Sequence, residues 1–423
     1  MGVAVTSRRR TRGRVFAAAA TALVLATLTA CSSSAEAIDL GVRQVDGAIA
    51  TDVQTQLQTA TEAAMVATGS SGALVAVHAP WSGSWVAGLG TSTPGGAEVD
   101  TSMRFKVGTM TKPMTCDVLY GLAARGIVDL DDTIDEWLDT YPNAADITLE
   151  MLCDGTSGLA PYSDQLTGRF LVTPERIWNP RELVAYGLSK ERSFEPGARF
   201  QESDTPYALL GVVLERAAGR SLEALYEEFV FEPLAMTSAG MPSRIDADGA
   251  WLHGHRSGDV EGQVDCAAPV DLTTFSPTAG YAAAGVVADI TDLARYTQAL
   301  ALGARDYDDD ARFAEPLAVS DSAPTWFTAD GGAYQAGTLV GQYGSVPGYL
   351  TAAFADRETG MAVVVVLNNS RASADVVRAL AWELAAIASK APAAEGETAP
   401  AAGLPWTPDT YAAEVQAGAV CAG

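Results

Sequence analysis

Apolar residues recur at helical spacing over 47–67, and two shorter stretches in the β-strand style follow at 72–78 and 84–89. A turn from Pro80 to Gly83 joins the two, so they read as a β-hairpin. From 112 to about 284 the pattern is mostly helical, with segments at 114–124, 133–138, 148–152, 180–188, 207–218 and 222–231. Glycine, proline and aspartate clusters separate them. A helix over 290–302 precedes strands at 334–340, 349–354 and 361–367, and a helix over 372–387 closes the periodic part. Strands near both ends with helices between predict an α+β fold. Its antiparallel sheet is built from 47–111 and 285–390 and flanked by helices, and a helical subdomain over 112–284 is inserted. The alanine, proline and glutamate content of 391–423 predicts a mobile tail, tied back through Cys421.

The first 30 residues read as an export signal. Arg8, Arg9, Arg10, Arg12 and Arg14 precede an apolar run over 15–26 that is too short and threonine-rich to make a good spanning helix. The run ends Leu28-Thr29-Ala30-Cys31, which resembles a bacterial lipobox. Lipidation of Cys31 is therefore expected, with 31–46 as a tether and the protein anchored to the outer face of the bacterial cell membrane.

Charge narrows the choice of partners. The chain holds 27 basic and 52 acidic residues, and the leader contains five of the basic ones and none of the acidic ones. What remains carries about −30, which argues against nucleic acid as a partner. Four of the five cysteines lie beyond Cys31, and outside the cytoplasm an even count suggests two disulfides with three possible pairings. Cys116–Cys153 and Cys266–Cys421 are favoured.

The chemistry concentrates at Thr109-Met-Thr-Lys112. A hydroxyl three residues before a lysine at the start of a helix places both groups on one face, within hydrogen-bond reach, as in an activated nucleophile. Taken alone, T-x-x-K is more often a helix cap followed by a solvated lysine. His253 and His255 have the spacing a strand would present to a metal, but no third ligand is apparent, so neither metal nor cofactor is expected.

Four segments, in order, give the larger pattern. They are Met103-Arg-Phe-Lys-Val-Gly-Thr-Met-Thr-Lys112, Ile147-Thr-Leu-Glu-Met-Leu-Cys-Asp-Gly-Thr-Ser-Gly-Leu159, the stretch from Pro196-Gly-Ala-Arg-Phe-Gln-Glu-Ser-Asp204 to Gly211, and Gly341-Gln-Tyr-Gly-Ser-Val-Pro-Gly-Tyr349. Together they resemble the serine β-lactamase and penicillin-binding-protein superfamily, in its class C β-lactamase and D-alanyl-D-alanine carboxypeptidase-like branch, over about 47–390. The resemblance implies a nucleophile at Thr109 where the family has serine, and the motif lysine at Lys112. Glu202, Ser203 and Asp204 stand at Y-S-N, and Gln342, Tyr343 and Gly344 at H-x-G. Oxyanion donors are implied at the Thr109 and Ser345 N–H groups.

Each departure has a physical consequence. The threonine methyl restricts χ1 and crowds the line of attack. Glu202 beside Lys112 is expected to form an ion pair that raises the lysine pKa and spoils it as a proton acceptor. Gln342 removes a cation, and Glu202 and Asp204 add negative charge, so an anionic substrate should be repelled. These features predict a degenerate active site that binds a peptidoglycan-derived peptide or an envelope protein without turnover. The alternative is a slow acyl hydrolase using Thr109 with Glu202 as general base, acting as a D-amino-peptidase, carboxypeptidase, esterase or β-lactamase-like enzyme.

Overall fold

The computed structural model describes residues 1–2, 37–138, 141, 144–307, 310–401 and 403–421. Residues 3–30 of the expected export signal, and Cys31, lie outside them. Helix α1 (Thr51–Thr68) leads into the hairpin β1 (Gly72–Ala79) and β2 (Gly83–Gly90), and the short strand β3 (Phe105–Lys106) follows. Next come helices α2 (Thr111–Ala124), α3 (Ile134–Trp137), α4 (Leu149–Cys153), α5 (Ser163–Val172), α6 (Pro180–Leu188), α7 (Thr205–Ala218) and α8 (Leu222–Tyr226). A second hairpin, β4 (His255–Val260) and β5 (Gln263–Asp271), precedes α9 (Tyr281–Ala284), β6 (Val287–Ala288) and α10 (Ile290–Leu302). Strands β7 (Leu317–Ala318), β8 (Phe327–Asp330), β9 (Ala333–Ala336), β10 (Leu339–Val346), β11 (Tyr349–Asp356) and β12 (Ala362–Leu367) then lead to helices α11 (Ala374–Ala388) and α12 (Pro408–Ala417).

The main sheet is antiparallel and ordered β2-β1-β12-β11-β10-β9-β8-β7, so the N-terminal hairpin joins the C-terminal strands through the β1–β12 pair. Its central strands are covered on both faces, which is why Ala362–Leu367 is a continuous apolar run. Side chains of β12 alternate across the sheet. Val364 and Val366 enter the core shared with α2, α7 and α10, whereas Val363, Val365 and Leu367 enter the one shared with α1 and α11.

Two boundaries differ from expectation. The insert over 112–284 is not wholly helical, because it contains the β4–β5 hairpin; Glu261 and Gly262 at its turn both have positive φ, as a two-residue hairpin loop requires. The single strand expected over 334–340 is broken by a turn at Gly337, so residues 341–346 belong to β10, which runs back along β9. The C-terminal segment is tied back through Cys421 as expected, and aromatic packing on α11 anchors it as well. Trp406 stacks on Trp382 of α11 with centroids 5.2 Å apart, Tyr411 meets the same ring edge-on, and Cys421 is bonded to Cys266. Two aromatic residues in a polar stretch are too sparse to register as a pattern, yet both meet Trp382 of α11. The part of the expected tether that is described is also tied down: Ile38 N–H donates to Pro233 O, and Val45 N–H to Pro80 O. The other disulfide joins Cys116 to Cys153, linking α2 to α4.

Candidate active site

Thr109 sits in a single turn of tight helix, Gly108–Met110, that runs directly into α2. Gly108 has φ 62°, a left-handed conformation that glycine adopts freely and that directs the chain into this turn. Lys112 is in the first turn of α2 and its side chain is fully buried. The Glu202-Ser203-Asp204 loop lies just before α7. Strand β9 pairs with β10 only as far as Gly341, so the edge of β10 beyond it is open to the Thr109 turn.

The ammonium of Lys112 is the electrostatic centre of the site. It forms an ion pair with Oε1 of Glu202 and a second with Oδ1 of Asp204 at 3.2 Å, and it lies 5.1 Å from the centroid of the Tyr207 ring. Burial alone would depress its pKa. The charges of Glu202 and Asp204, with their hydrogen bonds, outweigh that and hold it above the ordinary lysine value. Glu202 Oε2 accepts a hydrogen bond from Tyr334 Oη at 2.9 Å, so both of its oxygens are engaged. Burial, then the Glu202 charge, pushes the Tyr334 phenol well up, so Tyr334 acts as a donor.

Thr109 Oγ1 is buried and has no hydrogen-bond partner. The expected hydroxyl–amine contact is therefore not made, because the amine is taken by two carboxylates. Thr109 instead packs against Gly344 of β10, where an added Cβ would lie 2.3 Å from Oγ1. Ser203 Oγ is likewise buried without a partner.

A cleft of about 170 Å³ opens beside Thr109, lined by Asp204, Ser345, Tyr162, Phe170, Phe275 and Arg256 among others. Of the residues matched to the motifs, Thr109, Asp204 and Ser345 line it, whereas Lys112, Glu202, Ser203, Gln342, Tyr343 and Gly344 do not. Gln342 is buried; its amide donates to Gly332 O at 3.3 Å, and its Oε1 accepts from Tyr343 N–H. Tyr343 stands on the opposite face of β10, with its ring 4.9 Å from that of Tyr334 and its hydroxyl 3.3 Å from Arg378 Nη1. Arg256 is a cleft residue that sequence reasoning missed. It makes no ion pair among the described residues; its Nη1 donates to Ser370 O at 2.6 Å, and burial, then nearby Arg371, lowers its pKa. No local signal distinguishes it from other hairpin arginines. It qualifies the expectation of added anionic character, since the cleft carries Arg256 as well as Asp204.

The two histidines make separate contacts. His253 Nδ1 lies 3.3 Å from Asp271 Oδ2, and His255 Nε2 lies 3.3 Å from Thr93 Oγ1. Among the described residues no group of three or more His, Cys, Asp or Glu side chains is placed to hold a metal.

This sheet, with the Thr109 turn packed against the open edge of one strand, has known counterparts. The Beta-lactamase family model matches residues 57–387. The chain belongs to that family. Family members in the serine β-lactamase and transpeptidase superfamily resemble it in parts. Penicillin-binding protein 4* of Bacillus subtilis (strain 168) is 28% identical over 154 residues, 34% of each chain. Esterase EstB of Burkholderia gladioli is 31% identical over 159 residues, which is 33% of this chain and 38% of that one. The aligned stretches thus span about a third of these relatives' length. Similarity of structure reaches further. A D-stereospecific amidohydrolase from Streptomyces sp. superimposes with a TM-score of 0.66 at 25% identity, covering 75% of this chain and 94% of that one.

Proposed function

We propose that this Beta-lactamase family member is an exported, lipid-anchored binding protein that holds a cell-wall peptide or an envelope partner without turning it over. One observation carries the reading: Lys112 is clamped between Glu202 and Asp204 while Thr109 Oγ1 has no partner to take its proton. A nucleophilic hydroxyl needs a base within hydrogen-bond reach, and a protonated, doubly paired lysine is not one. A cleft with Asp204 and Arg256 among its lining residues suits a peptide carrying both charges. The two disulfides support an oxidising compartment, in keeping with the Cys31 lipobox. Incubation with a penicillin followed by intact-mass measurement tests the reading. No adduct is expected, and a stoichiometric adduct lost in Thr109→Ala would overturn it.

A second reading, slow acyl hydrolysis, draws on the esterase and D-stereospecific amidohydrolase relatives and on the sharing of one cleft by Thr109 and Asp204. Its base would be Asp204 rather than Glu202, since Glu202 is outside that cleft with both oxygens engaged. Turnover of neutral esters or D-amino amides that disappears in both Thr109→Ala and Asp204→Asn would establish it.

A further inference from the structure

A second cavity, of about 410 Å³, lies beyond Glu202 and does not include Thr109. Its walls are aromatic. Trp326, Phe327, Tyr334, Tyr343, Trp382 and Tyr411 line it, with Glu202 and Glu414 as its two carboxylates and Arg378 as its one cation. The Glu202 side chain is 46% exposed although its partner Lys112 is wholly covered, so the open side of the carboxylate is not turned toward the lysine.

The charges around this cavity do not balance. Lys112 faces two carboxylates, Glu202 and Asp204. Arg378 also faces two, Asp375 at 2.9 Å and Glu414 at 3.7 Å, the latter beyond hydrogen-bond length. Each group therefore has one negative charge in excess, and a member of each, Glu202 and Glu414, lines the aromatic cavity. Arg378 does not fill the space itself: it is 17% exposed and lies over the Tyr343, Trp382 and Phe327 rings at 5.2, 5.0 and 5.5 Å. Ring faces with carboxylates beside them attract organic cations, by the ring quadrupole and by direct charge.

We infer that this cavity is a binding site for a small organic cation, a primary amine or guanidinium carried on an apolar body, seated between Glu202 and Glu414 against the aromatic walls. The site is separate from the Thr109 cleft and does not depend on whether that cleft turns substrate over.

Titration of the full chain with benzylamine, following tryptophan fluorescence, reads occupancy directly because Trp326 and Trp382 line the cavity. A saturable change is expected with benzylamine and none with benzyl alcohol or benzoate at the same concentrations. Glu414→Gln, at a half-exposed position, should weaken binding by about threefold to fivefold, and Trp326→Leu by a similar factor. Glu202→Gln should weaken it further, and circular dichroism would confirm that each variant is folded. No saturable change, equal response to benzyl alcohol, or unchanged affinity in folded Glu414→Gln and Trp326→Leu would overturn the assignment, whatever the penicillin experiment shows.

Discussion

The side chain of Thr109 lies directly on the Cα of Gly344, with no room between them for a methyl group. A Cβ at 344 would meet Oγ1 at 2.3 Å and Cγ2 at 2.6 Å. Gly344→Ala is therefore expected to destabilise the fold by about 1–3 kcal/mol, the usual range for overpacking. Because both offending atoms belong to Thr109, the double variant Thr109→Ala/Gly344→Ala should recover part of the loss. Urea melts of the four proteins check this, and strict additivity would argue against the contact.

Lys112 is held protonated by its two carboxylates, so its pKa in the folded state is raised above the ordinary 10.5. A raised lysine pKa contributes stability that is complete below 10.5 and is lost as pH climbs through the higher folded value. Lys112→Met, which leaves Glu202 and Asp204 facing each other, should cost on the order of 3 kcal/mol at pH 8. The gap between wild type and variant should narrow above pH 10.5. Denaturant unfolding of both proteins from pH 8 to 11.5 measures it, and a constant gap would contradict the pairing.

Glu383 of α11 has its pKa raised as well, but at lower pH and because burial disfavours its charged form. Burial, then the charge of Asp409, pushes its carboxyl up from 4.5 to about 7. The folded chain then binds a proton more tightly than the unfolded chain between those values, and stability falls as pH rises through that window. Glu383→Gln removes the ionisation and should stabilise by on the order of 1–2 kcal/mol at pH 8, with little effect at pH 4. Thermal melts at the two pH values decide it.

The Cys266–Cys421 bond closes a loop of 155 residues and ties the C-terminal segment to the β4–β5 hairpin. Replacing both cysteines by serine should cost about 2–5 kcal/mol, as expected for a long cross-linked loop. It should also expose 404–421 to protease while leaving the central sheet protected. Limited proteolysis with mass mapping of the first cuts reports this. Initial cleavage in β11 or β12 instead would count against a locally anchored tail.

Restoring the family's side chains tests how far the scaffold has drifted. Thr109→Ser alone leaves Lys112 paired and should give no penicillin adduct. Thr109→Ser with Glu202→Tyr and Asp204→Asn removes both carboxylates from the ammonium, and adduct formation in this triple variant is expected by intact mass. Gln342→His adds little by itself, since Gln342 is turned toward Gly332 and away from the cleft.

Local pattern in the chain was enough to determine strands β1, β2, β11 and β12 of the sheet, the helix that starts at the Thr109 turn, and the motif order that marks the family, but not β7, β8 or the break between β9 and β10. Period-two and period-3.6 spacing reports which face of an element is buried, and the central strands of a covered sheet must be apolar throughout. The family resemblance also placed Glu202 near Lys112, across 90 residues of chain. Only the tertiary structure decided where the remaining charges and rings went. It gave Lys112 a second carboxylate in Asp204, turned Gln342 into a recess and Tyr343 onto the far face of β10, brought Arg256 from a separate hairpin into the cleft, and folded Trp406 and Tyr411 back on Trp382. Those contacts join residues far apart in the chain, and each depends on side-chain direction and packing at the meeting point, which no local periodicity encodes.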